Sequence, residues 1–186
     1  MPQIPLPDPP LCDDVIALRS WRDSDVPALV VACQDPEIPR WTAIPSAYSE
    51  REARGYVTQS ELERLAGREV GLAVTDAGSG EVLGSCGLAR FDWEDRKAEI
   101  GYWVTAQARR RSVGTRATVL VSRWGIEQLG LERVELLANP ANEASQRLAE
   151  RAGFTREGLL RRYRRRKGER EDLVMFSLLS GDLRHI

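Results

Sequence analysis

The chain predicts an α/β (α+β) fold, a mixed central sheet with helices on both faces. Two observations carry this. Strand-like and helix-like segments alternate along the 186 residues in the order βα·αββ·βαβα·ββ, with no internal repeat and no low-complexity linker past the N-terminal arm. Between Gly101 and Gly153, an aromatic strand runs into an arginine loop, a helix, a second strand and a second helix.

Taken in order, Val15 to Arg19 has strand character. Ser24 and Asp25 are helix caps ahead of Val26 to Cys33. Pro36, Pro39 and Pro45 break the chain around Trp41. Ser49 opens a helix that runs to Gly67, and Glu52 completes a capping box. Glu69 to Thr75 and Glu81 to Arg90 read as strands joined by the turn Ala77-Gly78-Ser79-Gly80. Phe91 to Asp95 turns the chain into a strand from Lys97 to Val104. A helix follows from Val113 to Leu129 and stops at Gly130. Arg133 to Ala138 is a strand, and Asn142 to Ala152 is a helix stopped by Gly153. Strands from Phe154 and from Leu173 to Leu179 close the chain.

Composition narrows the function classes. The length suits one domain, residues 13–186, with an extended proline-rich arm over residues 1–12. Lysine and arginine total 27 against 28 acidic residues, so net charge draws the chain to neither nucleic acid nor membrane. The first residues lack the basic and apolar regions of a signal peptide, and no apolar run reaches the roughly 20 residues of a membrane span. Cys12, Cys33 and Cys86 have no metal spacing and read as reduced thiols of a cytoplasmic protein. No metal site is expected. The single histidine, His185, reads as a tail residue.

The chemistry concentrates after the aromatic strand. A strand, a loop of small residues and a helix N-terminus aim backbone N–H groups and the helix dipole at one point, which suits a pyrophosphate. Here the loop is Arg109-Arg110-Arg111-Ser112-Val113-Gly114-Thr115. Asn142 and Ser145 offer a second polar position beside the same ligand.

These residues, with Arg40-Trp41-Thr42, Pro45, Tyr48, Ala98-Glu99-Ile100-Gly101-Tyr102-Trp103, Asn142-x-x-Ser145, Gly153-Phe154 and Glu157-Gly158, occur in an order that resembles the Gcn5-related N-acetyltransferases (GNAT), closest to the RimJ/RimL-like ribosomal-protein branch. The resemblance covers about Asp13 to Leu179. It implies a GNAT fold whose two central parallel strands splay apart, and transfer of an acetyl group from acetyl-CoA to a primary amine. Backbone groups of Trp103, Val104 and Thr105 would hold the pantetheine, one N–H polarising the thioester carbonyl. Arg109 to Thr115 would hold the pyrophosphate, Asn142 would face the pantetheine arm, and Ser145 would donate to the departing sulfur. Glu99 would take the proton from the amine, with Asp92, Glu94 and Asp95 as rivals. Trp41 and Tyr48 would wall the acceptor pocket. The loop departs from the family pattern at Ser112 and at Arg110, where glycines are usual. Ser112 could offset a left-handed backbone by capping the helix.

The implied acceptor is an amine, such as the α-amino group of a protein N-terminus. A small amine, antibiotic or metabolite, is the alternative, and a catalytically weak CoA-binding module with protein or RNA contacts is another. A homodimer is left open. The run Leu160 to Lys167 could attract RNA, but Gly168 and the acids after it favour a hairpin with cross-strand ion pairs, and no nucleic-acid partner is expected.

Overall fold

The computed structural model describes residues 2–185, the side chains of 184 and 185 excepted. His185 closes a short 3-10 turn, Ser180–His185, and its side chain lies outside the described residues. Seven strands form one sheet: β1 (Ile16–Ser20), β2 (Glu69–Asp76), β3 (Val82–Asp92), β4 (Lys97–Val104), β5 (Arg133–Ala138), β6 (Thr155–Arg166) and β7 (Glu169–Leu179), in the spatial order β1-β2-β3-β4-β5-β7-β6. Every neighbouring pair is antiparallel except β4 and β5. Five helices cover the sheet: α1 (Val26–Cys33), α2 (Glu37–Trp41), α3 (Glu50–Leu65), α4 (Val113–Glu127) and α5 (Glu143–Arg151).

Alternation along β4 shows how the faces divide. Ala98, Ile100 and Tyr102 join the large core with Val113, Ala117, Val121 and Trp124 of α4. Trp103 turns to the opposite face and joins the smaller cluster of Trp21, Val26 and Leu29, with Tyr48 and Tyr56. Its ring stacks on Trp21 at 6.4 Å. Helices therefore lie on both faces of a mixed sheet, as the alternation of elements predicts.

Several expectations need correction. Around Trp41 the chain does not simply break, because α2 forms there. Pro36 sits at its N-cap and Pro39 within its first turn, where helix N–H groups have no intrahelical partner to lose. The third strand runs on to Asp92 through a bulge at Arg90, between the rungs Ala89–Glu99 and Asp92–Lys97. The whole arginine run belongs to β6, and Phe154 precedes that strand. Lys167 and Gly168, both at positive φ (49° and 88°), make the hairpin turn. Cross-strand ion pairing holds as expected: Arg166 meets Glu171 at 2.9 Å. At Ser49 the capping box with Glu52 forms as the sequence indicates.

The proline-rich arm is docked against the domain. Ile4 is fully buried in the large core beside Ile16, Leu18 and Val70. Its N–H donates to the Arg64 carbonyl at 3.1 Å, and the Arg64 guanidinium donates back to the Ile4 carbonyl at 2.5 Å. Ile4→Ala is expected to destabilise the protein by about 2–4 kcal/mol, the usual cost of emptying an aliphatic core site. Urea unfolding of the full chain measures it, and an unchanged midpoint would mean the arm does not seal the core.

Candidate active site

The parallel strands pair over three rungs only: Lys97–Arg133, Ala98–Val134 and Glu99–Glu135. Beyond Glu99, β4 continues to Val104 and β5 to Ala138 without pairing. The sheet parts there, leaving the β5-facing edge of β4 unpaired. Unpaired strand edges bind extended chains readily. Thr105 closes this edge: its N–H is already committed to the Leu83 carbonyl at 2.9 Å, and its Oγ1 is buried without a partner among the described residues.

Past the strand, a 3-10 turn (Ala106–Ala108) leads into the arginine loop and then α4. The first bond of α4 runs from the Arg116 N–H to the Ser112 carbonyl, so helix geometry leaves the N–H groups of Val113, Gly114 and Thr115 facing outward. Glycine at 114 has a packing reason. A Cβ there would lie 2.8 Å from Leu148 of α5 and 3.5 Å from the Tyr102 ring. Ser112 occupies the N-cap position with φ 60° and ψ 8°, and its side chain makes no cap hydrogen bond. The expected capping compensation is therefore absent. A left-handed backbone carries Cβ too close to the next carbonyl to hold the side chain in capping geometry. Arg110 is also left-handed, at φ 61°. Both departures from glycine thus fall where glycine would be unstrained. The Arg109 guanidinium is engaged by Asp35 at 2.5 Å, which ties the loop to the segment between α1 and α2.

On the α4 face, Asn142 caps α5, its Oδ1 accepting from the Ser145 N–H at 3.1 Å. Ser145 Oγ accepts from the Tyr102 hydroxyl at 3.0 Å. Burial pushes the Tyr102 phenol up to about 12, the bond to Ser145 opposing this. Tyr102 therefore stays protonated and able to donate to Ser145.

The opposite face carries a cavity of about 760 Å³ lined by Arg90, Phe91, Trp93, Glu99, Glu135 and Tyr163, among others. Glu99 sits at its floor, on the last rung before the strands part. Arg164 grips it with both guanidinium nitrogens, one at 2.9 Å, and Arg90 Nε lies 3.3 Å away. Glu135 is its register neighbour and accepts from Arg133 at 2.8 Å. The rival acids serve the β3–β4 turn: Asp95 binds Lys97 at 2.6 Å, and Asp92 accepts from the Asp95 N–H. Trp41 donates to Glu37 at 3.0 Å with Arg40 stacked over its ring, and Tyr48 packs in the smaller core cluster. The hairpin tip reaches α2, with Lys167 bonded to the Pro39 carbonyl and Arg166 to that of Arg40 at 2.8 Å. Burial pushes the thiols of Cys33 and Cys86 up to about 12, so neither is a ready nucleophile. Among the described residues, no group of His, Cys, Asp or Glu side chains could hold a metal ion.

The structure thus brings together the predicted residues as two sets. Ser145 and Asn142 lie on the α4 side, Glu99 lies on the cavity side, and the parted strands open the sheet between them. Sequence reading missed Tyr102, Glu135, Arg90 and Arg164. The β4–β5 register reveals Glu135, the β6–β7 hairpin Arg164, the β3 bulge Arg90, and the packing of α5 on β4 Tyr102.

The acetyltransferase (GNAT) domain family matches residues 16–155. The uncharacterized N-acetyltransferase p20 of Bacillus licheniformis is 30% identical over 164 residues, 88% of this chain and 92% of that protein. A Vibrio cholerae structure assigned as a ribosomal-protein-serine acetyltransferase superposes with a TM-score of 0.81 at 25% identity, covering 94% of this chain and 99% of that one. Mycobacterium smegmatis RimJ, solved with a CoA-disulfide, shares the fold at a TM-score of 0.83 and 22% identity, covering 94% and 87%.

Because Ser112 is strained and uncapped, Ser112→Gly is expected to stabilise the protein by about 1 kcal/mol. Chemical denaturation of parent and variant measures it. A destabilised variant would show that the serine side chain makes a contact that outweighs its backbone strain.

Proposed function

The chain belongs to the acetyltransferase (GNAT) family, and from that membership we propose that it acetylates the α-amino group at a protein N-terminus by direct attack in a ternary complex. It is an acyltransferase, and acetyl-CoA is its acyl donor. The observation that carries the finer reading is the broad cavity ending on Glu99, at the rung where the sheet parts. Its volume admits the first residues of an extended chain. An α-amino group loses its proton near pH ~8, about two units below a lysine side chain, so it is the easier of the two amines to deprotonate near neutral pH. The Vibrio cholerae relative, assigned to a ribosomal protein, supports a protein acceptor. We place the reaction in the cytoplasm.

In this reading the donor's pyrophosphate lies on the N–H groups from Arg109 to Thr115. Its pantetheine follows the open edge of β4 at Trp103 and Val104, beside Asn142, while Thr105, expected to share this role, has both its N–H and its carbonyl committed within the chain. The unpaired edge and the outward N–H groups of α4 fit such a ligand. Trp41 and Tyr48, expected at the acceptor wall, do not line this cavity and have no part in this reading. The ammonium enters from the cavity and gives its proton to Glu99, displacing Arg90, the more exposed and more distant of its two guanidinium partners. The neutral amine attacks through the parted strands. Ser145, held by Tyr102, donates to the departing thiolate on the far face.

Glu99→Gln is expected to lower kcat/KM about 10²-fold near neutral pH while leaving acetyl-CoA affinity unchanged. A pH–rate profile identical to the parent's would remove Glu99 from the mechanism. Ser145→Ala is expected to lower kcat more than it raises the acetyl-CoA KM. A pure KM effect would reduce Ser145 to a positioning role.

A further inference from the structure

Two arginines of the cavity lining converge on a single carboxylate. Among the charged lining residues, Lys97 sits between Asp95 and Asp92, Glu135 is taken by Arg133, and Arg165 donates to the Gly168 carbonyl. Two guanidiniums, Arg164 and Arg90, are left on one carboxylate, Glu99. Arg164 already engages both oxygens of Glu99. Arg90 is therefore redundant for pairing, and its side chain is 64% exposed. Glu69, on the neighbouring strand, also attracts Arg90 but takes no hydrogen bond from it.

Arg90 is also held at a cost. It sits in the β3 bulge at φ 54°, a left-handed conformation that glycine would adopt without strain. Bulges beside active sites re-aim side chains, and this one places a cation at the cavity rim.

An acceptor that brought only an ammonium to Glu99 would set a third cation against one carboxylate. An acceptor that also brings a carboxylate balances the site, because Arg90, displaced from Glu99, then gains a partner of its own. We propose that the acceptor is a polypeptide N-terminus with an acidic residue at its second or third position, and that Arg90 is the residue that reads it. This rests on the N-terminal acetyltransferase reading above. The spacing follows from the contact between Arg90 and Glu99. If the amine lies at Glu99, an extended chain advancing ~3.4 Å per residue brings its next side chains within reach of Arg90.

The test uses the full-length enzyme with acetyl-CoA and short peptides sharing a first residue, with Asp-Asp, Ala-Ala or Lys-Lys at the second and third positions. The acidic peptide is expected to exceed the basic one in kcat/KM by about tenfold or more, and the ratio to shrink as salt is raised. Arg90→Glu should invert the ratio. Arg90→Gly, which suits the backbone, should abolish the preference while raising the melting temperature. Equal rates on the three peptides, or an unchanged ratio in Arg90→Glu, would overturn the inference and leave N-terminal acetylation standing. Turnover confined to free aspartate, glutamate or other small amines, with none on any peptide, would overturn both.

Discussion

Everything in this molecule that resembles a site depends on β4 and β5 ceasing to pair after Glu99 and Glu135. Buried strand edges are costly, so such a gap needs support on both sides. The sheet supplies it. β4 stays paired with β3 up to the rung Val104–Gly84, and β5 stays paired with β7 along its whole length, from Arg133–Leu179 to Ala138–Val174. The opening is thus a seam between two independently braced half-sheets. The insertion of β7 between β5 and β6 is what braces the second half. A β5 left at the sheet edge would lack that second partner.

A set of guanidinium contacts then draws the walls of the seam together. Arg109 joins the loop before α4 to Asp35, ahead of α2. Arg166 joins the hairpin tip to Arg40 of α2, and Arg164 joins the same hairpin to Glu99 at the floor. Partly exposed ion pairs contribute little to stability one at a time. Their effect here is positional. The two segments with the least regular structure, the residues around α2 and the bulged hairpin, are referenced to the strand that carries the candidate base. Of the arginine run that could suggest nucleic acid, Arg164 and Arg166 do this work, while Arg161, Arg162 and Arg165 pair with no carboxylate among the described residues.

Local pattern was enough to read most of the fold. The alternation of elements, the capping box at Ser49 and the turn at Gly168 all rest on short-range physics, and the structure follows them. The candidate residues that lie in one segment, the loop before α4 and Asn142-x-x-Ser145, could be named from local pattern. It was not legible where partners meet across the sheet. Glu135 stands beside Glu99 only through parallel register, which alternation along either strand cannot report. Tyr102 reaches Ser145 across 43 residues. The helix α2 was hidden because prolines in a first helical turn look the same as prolines in a loop. The docking of the arm was hidden because a single buried isoleucine leaves no periodicity.

Backbone strain marks the same path that geometry marks. Six non-glycine residues among those described have positive φ: Arg90, Arg96, Arg110, Ser112, Arg162 and Lys167. Arg96 and Lys167 belong to the turns that end hairpins, where such angles are ordinary. The other four lie in the β3 bulge, the loop before α4 and the β6 bulge, around the seam and its cavity. Glycine would be easier at each by about 1 kcal/mol. At three of them the residue is arginine, so what the chain keeps in exchange is a cation. Ser112 does not fit that account. It makes no cap bond and carries no charge, and nothing in the structure explains its side chain. Strain that holds a charge has a reason in the chemistry.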